Sequence, residues 1–382
     1  MPVTAPSPVA NPLAHWRREF PVFDRSIYLN SCSLGPLSRQ ARERVARCLD
    51  AWDARGAANW YDVWWAALDE LRGRYARLLG AAPAEIALHS SVSGILGVIG
   101  SGLDTSRRRR VVSTTLDFPT VPYQWLGRDV DVVLLEPTDG ISVAVEQFER
   151  AVNDQTALVA TSHVYFTSGA IQDVAAIAAV AHRAGALCLI DGYQAAGQIP
   201  VDAPALGVDF YLTGGLKWLL GGSGITVLYA RQDSTSSVIP HATGWFAHRD
   251  QFGFDPAHFE PHTDARRFET GTPAILSVHA QLGGLDVIEA AGSAAIRAAT
   301  GALTETLIED ATARGLRPKV AASAADRSGI VMLPRDDPRA DVARLAAAGI
   351  IVDARPGHVR VSPYFYNVAD DHRALLEVLL DG

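Results

Sequence analysis

The sequence predicts an α/β protein: a parallel sheet flanked by helices, followed by a second, smaller domain. Three observations carry this reading. Over residues 84–230, short apolar runs of strand character alternate with helical patterns, as in strand–helix–strand units. The chemically capable residues in that span fall at the carboxyl ends of the strands, where open α/β sheets bind ligands. After Ala230 the alternation stops, and aromatic loops, an apolar helix and an Ala-rich run of helices and short strands follow. These shifts divide the chain into an N-terminal segment over 1–27, a large domain over 28–260 and a small α+β domain over 261–382.

A chain of 382 residues suffices for one large α/β unit with a smaller partner. With 48% hydrophobic and 20% charged residues it has ordinary globular composition. A net charge of −8 argues against a nucleic-acid surface. The run Arg107–Arg110, between a helix and a strand, reads as a solvated turn. Three cysteines, Cys32, Cys48 and Cys188, are too few and too scattered for a disulfide framework, and Cys188 in its apolar strand reads as inert core. The N-terminus has neither a cationic start nor an apolar core, so it is not read as a signal peptide, and no stretch reaches a membrane span. The expectation is a soluble cytoplasmic protein with no nucleic-acid or membrane partner, and no metal site is read.

The elements follow in order. Residues 1–12 read as a flexible tail. The segment Phe20–Ser38 contains a turn at Gly35-Pro36, and Arg39 to Trp65 is helical in pattern. Its aromatic cluster, Trp52, Trp60, Tyr61, Trp64 and Trp65, reads mainly as helix packing, and Leu71–Leu79 continues the helix. After a strand at Ala84–His89, Ser90-Ser-Val-Ser-Gly94 opens an apolar helix, Ile95–Leu103. Small hydroxyl residues with free N–H groups at a helix start either cap it or bind an anion, and both readings stand. Strands are read at Val111–Thr115, Val130–Leu135, Leu158–Ser162, Leu187–Asp191 and Ile225–Ala230, and helices at Val143–Val152, Asp173–Ala184 and Leu276–Gly292. Near the C-terminus, Arg360 sits in an apolar strand, His358-Val-Arg-Val-Ser362, where an arginine wants a carboxylate; Arg355 is the next candidate.

The most informative stretch is Asp191 to Gly224. An acid closes an apolar strand, and Lys217 lies in a glycine-flanked, otherwise apolar segment. Only two lysines, Lys217 and Lys319, stand among 34 basic residues, so arginine does the surface work. Lys217 is either a lysine snorkelling from a loop edge or an amine whose pKa burial depresses, able to form a Schiff base. A strand-end acid that keeps a pyridine nitrogen protonated, with a lysine that holds an aldehyde, describes a pyridoxal 5'-phosphate (PLP) site. A phosphate-binding Gly-Lys-Ser/Thr loop is excluded, since Lys217 stands between Leu216 and Trp218. A dinucleotide fingerprint is disfavoured, since Gly221–Gly224 precedes a strand rather than a helix.

The stretch resembles fold-type I PLP-dependent enzymes of the class V aminotransferase family, kynureninases above all. The family pattern of Asp, Gln or His, Gly, Asp-Phe and Lys is met at Asp191, Gln194, Gly197, Asp209-Phe210 and Lys217. The segments Tyr28–Pro36, Phe118-Pro119, His163–Gly169, Gly244–His248, Arg267–Pro273 and Val359–Ser362 extend the resemblance from Tyr28 to about Asn367. It implies a mostly parallel seven-stranded sheet with helices on both faces, PLP as cofactor, a small amino-acid substrate and a homodimer with shared active sites. It implies Lys217 as the Schiff-base lysine, Asp191 at the ring nitrogen and Phe118 stacked on the ring. Ser91, Val92 (through its N–H) and Ser93 are implied at the phosphate, and His163, Thr167 and Gln194 beside the cofactor, with Tyr165 also facing it. Ser31 and Cys32 are placed near the substrate, and Arg360 on its α-carboxylate. Trp245 is implied at cofactor or substrate, and Gly271-Thr272 at the partner subunit's phosphate; the residue-based reading of Thr272 is an N-cap before Pro273.

The implied reaction is kynureninase-like: hydrolytic Cβ–Cγ cleavage of an aryl-acyl alanine, or β-elimination, through a Schiff base. Two positions differ from kynureninases, with Leu216 for their Tyr and Gln194 for their His. Gln194 matches desulfurases, but those need a mobile cysteine in the C-terminal domain, and none of the three cysteines lies there. A class V aminotransferase or epimerase stays open, as does a PLP-binding protein without turnover.

Overall fold

A computed structural model describes residues 11–380. The expected tail lies outside the described residues except at its end, and there it is held. Asn11 Nδ2 donates to the carbonyls of Phe365 (2.6 Å) and Asn367 (2.8 Å).

Strand β1 (Ile27–Tyr28) leads into helix α1 (Arg39–Arg55), where the Ser38 hydroxyl caps the start by accepting from the Ala41 N–H at 3.0 Å. The helical run expected as far as Trp65 is broken. Gly56 takes φ 51°, a π-turn spans Trp60–Trp64, and α2 (Trp65–Leu78) begins afresh. There follow β2 (Ile86–His89), α3 (Val92–Gly102), β3 (Arg110–Thr114), α4 (Thr120–Leu126), β4 (Asp131–Leu135) and α5 (Val145–Ala151). Next come β5 (Thr156–Ser162), α6 (Val174–Arg183), β6 (Leu187–Asp191), β7 (Phe210–Gly214), β8 (Thr226–Ala230) and the short α7 (Gln232–Thr235). The aromatic loops then give way to α8 (Ile275–Ala291), α9 (Ser293–Ala313), β9 (Val331–Pro334), α10 (Pro338–Ala347), β10 (Ile350–Ile351), β11 (Asp353–Arg355), β12 (His358–Val361) and α11 (Ala369–Leu380).

The main sheet has seven strands in the order β2-β8-β7-β6-β5-β3-β4. Only the pairings made by β8 are antiparallel. Alternate residues of each strand face opposite layers. Leu158, Leu189, Phe210 and Leu228 pack against α3 and α4, while Val159, Ile190, Tyr211 and Val227 pack on the side of α2, α6 and α8. Strand β7 has no counterpart among the strands expected from the sequence, although it is as fully buried as β5 and β8.

The small domain is an antiparallel sheet, β11-β12-β9, covered by α9, α10 and α11 around Leu333, Leu345, Val359 and Leu375. Strand β1 joins it by pairing in parallel with β10. Residues 261–291, expected in the small domain, instead reach the large one: Arg44 of α1 and Arg74 of α2 both bind Asp286 of α8, at 2.6 and 2.7 Å. In the arginine run at the start of β3, Arg107 and Arg109 are exposed as expected, and Arg108 and Arg110 are half-buried. Arg108 Nη1 donates to the Ala184 carbonyl at 2.7 Å, and Arg109 pairs with Asp129 at 2.6 Å. No helix among the described residues is long and apolar enough to cross a membrane.

Candidate active site

The carboxyl ends of β2, β5, β6 and β7 open at one edge of the sheet. Strand β8 runs the other way, so its first residue, Thr226, stands opposite His89 at that same edge. These ends enclose a cavity of about 290 Å³. Asp191, Gln194, Lys217, Phe118, Ser91, Val92 and Ser93 line it, together with Tyr193, Phe166, Ser223 and Thr226.

Lys217 lies three residues beyond β7, in the hairpin to β8. The hairpin is closed by Gly221 N–H to the Gly215 carbonyl (2.8 Å) and Leu220 N–H to the Lys217 carbonyl (3.1 Å). It forces Leu220 to φ 59°, which costs a non-glycine residue about 1–2 kcal/mol. Gln281 of α8 supports the strained turn by donating from Nε2 to the Leu219 carbonyl at 3.1 Å. Gly35 closes the other side, its N–H bonding the Leu216 carbonyl at 2.8 Å. A Cβ at Gly35 would strike the Lys217 carbonyl, which explains the glycine of the Gly-Pro turn.

The Lys217 amine sits 5.1 Å from the centre of the Tyr193 ring and 5.6 Å from that of Phe118. Burial lowers it to about 8; Asp191 and Cys32 oppose that shift, and the charges of Arg360 and Arg355 add to it. Asp191, at the end of β6, is buried and accepts the Tyr193 N–H at 2.9 Å. Burial lifts its carboxyl to about 6, against the pull of that hydrogen bond and of Lys217. Burial also pushes the Tyr193 phenol up to about 12, so it stays protonated.

At the start of α3 the Ser91 hydroxyl accepts the Gly94 N–H at 3.1 Å, so it is a cap while also lining the cavity. The Ser93 hydroxyl lies 3.4 Å from that of Thr120.

Other expected residues sit elsewhere. Ser162 and Val164 face the cavity, so His163 between them turns away, its Nδ1 2.9 Å from the Tyr211 hydroxyl. Burial lowers His163 to about 4, which keeps it neutral. Thr167 does not line the cavity and Tyr165 is fully buried; Phe166 takes their place, edge-on to Phe118 with ring centres 5.3 Å apart. Gln194 lines the wall, but its amide is engaged at both ends: Nε2 donates to the Cys32 carbonyl (3.0 Å) and Oε1 accepts from Trp218 Nε1 (2.8 Å). Ser31 and Cys32 are buried, and Ser31 Oγ lies 2.7 Å from the Tyr366 hydroxyl. A turn after Asn30 directs both inward, so it is Ser33 that meets Arg360.

Arg360, on β12, is 1% exposed and stands behind Phe166 rather than on the cavity surface. Its Nη2 donates to Ser33 Oγ (2.6 Å) and Asp353 Oδ2 (3.0 Å), and its Nη1 to the Phe166 carbonyl (3.2 Å). Its Nε has no partner among the described residues. Arg355 shares the Asp353 carboxylate at 2.8 Å. Trp245, Gly271 and Thr272 are on the surface and do not line this cavity. Their two loops are joined by the Phe246 N–H to the Thr270 carbonyl at 3.1 Å. Trp60 packs on Trp245 and Trp65 stacks on Phe246, so the aromatic cluster fastens the start of α2 to this loop. A larger, more open depression of about 850 Å³ around Arg109, Arg128 and His241 receives neither Lys217 nor Asp191.

Sequence reasoning missed Tyr193, Phe166, Ser223 and Thr226. Tyr193 and Phe166 follow the ends of β6 and β5, both legible in the sequence, so position alone signals them. Ser223 and Thr226 depend on the reversal of β8, for which the sequence carries no signal.

The residues present fit PLP. The cavity offers a buried acid with one hydrogen bond, an amine held only by charge and ring faces, an exposed aromatic ring and a hydroxyl-rich helix start. That set matches a protonated ring nitrogen, an aldehyde, an aromatic face and a phosphate.

Comparisons with known proteins agree. The aminotransferase class-V family model matches residues 40–374. An uncharacterized aminotransferase, YcbU, of Bacillus subtilis (strain 168) is 33% identical over 95% of this chain and 96% of its own. A kynureninase of Pseudomonas fluorescens is 30% identical over 78% of this chain and 73% of its own. An apo cysteine desulfurase from Thermococcus onnurineus NA1 has the same fold, with a TM-score of 0.86 at 21% identity and 98% of each chain covered. The chain belongs to the class V aminotransferase family of PLP-dependent enzymes.

Proposed function

We propose that the chain is a lyase or hydrolase that acts on a small amino acid and breaks the bond beyond Cβ, as kynureninases do. The supporting observation is that one cavity holds an amine lowered to about 8 and a strand-end acid, with an arginine bearing an unpartnered Nε behind its wall. PLP, when bound, supplies an electron sink. Asp191 would hold a proton on the cofactor's ring nitrogen, and Phe118 would pack against its ring. Ser91, Val92 and Ser93 would hold the phosphate through hydroxyl and N–H groups at the start of α3. Arg360 binds the substrate carboxylate and so orients the Cα–H towards Lys217. Lys217 Nζ then takes that proton and returns it to another carbon.

The test is a product analysis of PLP-loaded protein given kynurenine, a β-substituted alanine such as cystine, or alanine with a 2-oxo acid. An aryl acid with alanine, or pyruvate with ammonia, is the expected outcome. Amino exchange alone would replace this reading with transamination, the activity for which the Bacillus subtilis relative is named.

We also propose that two copies share their sites. Trp245, Gly271 and Thr272 are exposed and leave their own cavity untouched, as residues that serve a neighbour's cavity would. Mixing the inactive variants Lys217→Ala and Thr272→Arg is expected to regain part of the wild-type activity, since a mixed dimer then has one intact site. No regain on mixing would mean that each site is built from a single chain.

A further inference from the structure

Behind the site lies a second buried carboxylate, Asp117, in the loop from β3 to α4, 4% exposed. Its Oδ2 accepts from Ser113 Oγ (3.0 Å), Thr114 N–H (2.9 Å) and Thr114 Oγ1 (3.0 Å). Its Oδ1 accepts from Thr161 Oγ1 (3.0 Å) and Ser162 N–H (2.7 Å). Five donors thus converge on one carboxylate, and two of them are backbone N–H groups that can only donate. Burial raises the proton affinity of Asp117 by more than these hydrogen bonds lower it, and no cation pairs with it among the described residues. A buried anion without a cation is a costly way to tie two strands, so its charge calls for a reason.

We propose that Asp117 is a positioning residue for the cofactor ring, which clamps the Phe118 segment to β5 and adds a fixed negative charge behind Asp191. Two placements carry this. Phe118 follows Asp117 directly, and its ring, 46% exposed, lines the cavity over Lys217. Ser162, which donates to Asp117, is the sheet partner of Asp191, one strand spacing away. The charge of Asp117 raises the proton affinity of Asp191 and so strengthens its hold on a protonated ring nitrogen. The other groups facing this pair are accounted for. Lys217 feels Asp191 as an anion and Arg360 and Arg355 as cations, and the two arginines share Asp353. Tyr193 and Tyr211 feel Asp191 and Tyr165 feels Asp117, all three held protonated by burial. His163 is neutral.

The inference rests on Lys217, Asp191 and Phe118 forming the cofactor site. The test uses Asp117→Asn, which keeps the shape and removes the charge, in full-length PLP-loaded protein. The pH midpoint of the visible absorbance change is expected to fall by about half a unit to one unit, the scale of one charge nearby. The PLP dissociation constant is expected to rise several-fold. Thr161→Val, which deletes one donor but keeps the charge, is expected to lower the unfolding temperature of PLP-free protein and leave the absorbance midpoint in place. If the Asn variant does not fold, Asp117→Ser carries the same expectation. The proposal is overturned if the charge-removing variant leaves midpoint and PLP affinity at wild-type values, or if Thr161→Val moves the midpoint as far. A wild-type protein without a visible band, or a band that survives in Lys217→Ala, would instead overturn the site reading beneath it.

Discussion

Lys217→Ala abolishes the covalent link between PLP and the chain and lowers turnover by about 10³-fold or more, the scale of losing a positioned proton-transfer group. The link is read by borohydride reduction followed by peptide mass. Lys319→Ala is the control, because the other lysine lies beside β9, its N–H bonding the Met332 carbonyl at 2.8 Å, and its loss is expected to leave the link intact. The pH dependence has a definite sign. Attack on an aldehyde needs the neutral amine, and burial brings Lys217 from 10.5 to about 8. PLP capture by cofactor-free protein therefore rises with pH and levels off above about 8. An unperturbed lysine would continue to gain up to about 10.5. Stability follows the same sign. Between about 8 and 10.5 the unfolded chain binds more protons at this group than the folded one, so the lysine's cost to cofactor-free protein shrinks as pH rises through that window. Retention of the adduct in Lys217→Ala would remove the lysine from its role.

Much of this site was legible because its residues lie where one-dimensional rules reach. Asp191 closes an apolar run, Ser91 caps a helix, and Lys217 is conspicuous in a chain that uses arginine elsewhere. What the sequence hid depends on direction and partnership. His163 was expected on the ring, but strand alternation carries it to the far side, where Tyr211 receives it. Gln194 lines the cavity as expected, while both ends of its amide tie the Cys32 turn to Trp218, a partnership the sequence does not show. The reversed strand β8 puts Thr226 at the cavity although its sequence reads like any other strand. The packing of α8 on the large domain is hidden for a similar reason. The partners that draw α8 to the large domain, Arg44 and Arg74, lie more than two hundred residues upstream.

Arg360→Ala raises KM for the amino acid far more than it lowers kcat, with a loss in kcat/KM worth about 2–5 kcal/mol, the cost of truncating one member of a buried charge pair. Arg360→Lys restores little of this, because an ammonium keeps the charge but not the fork that grips both carboxylate oxygens. Cofactor binding is expected to be unchanged, since Arg360 is not part of the cavity wall around Lys217. A purely structural role would predict something else. Arg360 also holds Ser33, Asp353 and the Phe166 carbonyl, so its loss loosens three segments. Asp353→Asn separates the two roles, because it removes the ion pair and leaves the guanidinium in place. If Arg360 works only through that pair, the Asn variant shows the same rise in KM. If Arg360 receives the substrate, the Asn variant keeps most of its affinity, and Arg355→Ala, lacking the unpartnered Nε, has the smaller effect. The burial of Arg360 adds a constraint. At 1% exposure it meets a carboxylate only after Phe166 or Ser33 yields, so binding is expected to shift Phe166, whose ring already touches Phe118. Unchanged KM in Arg360→Lys would move the clamp to another residue, with Arg355 the next to test.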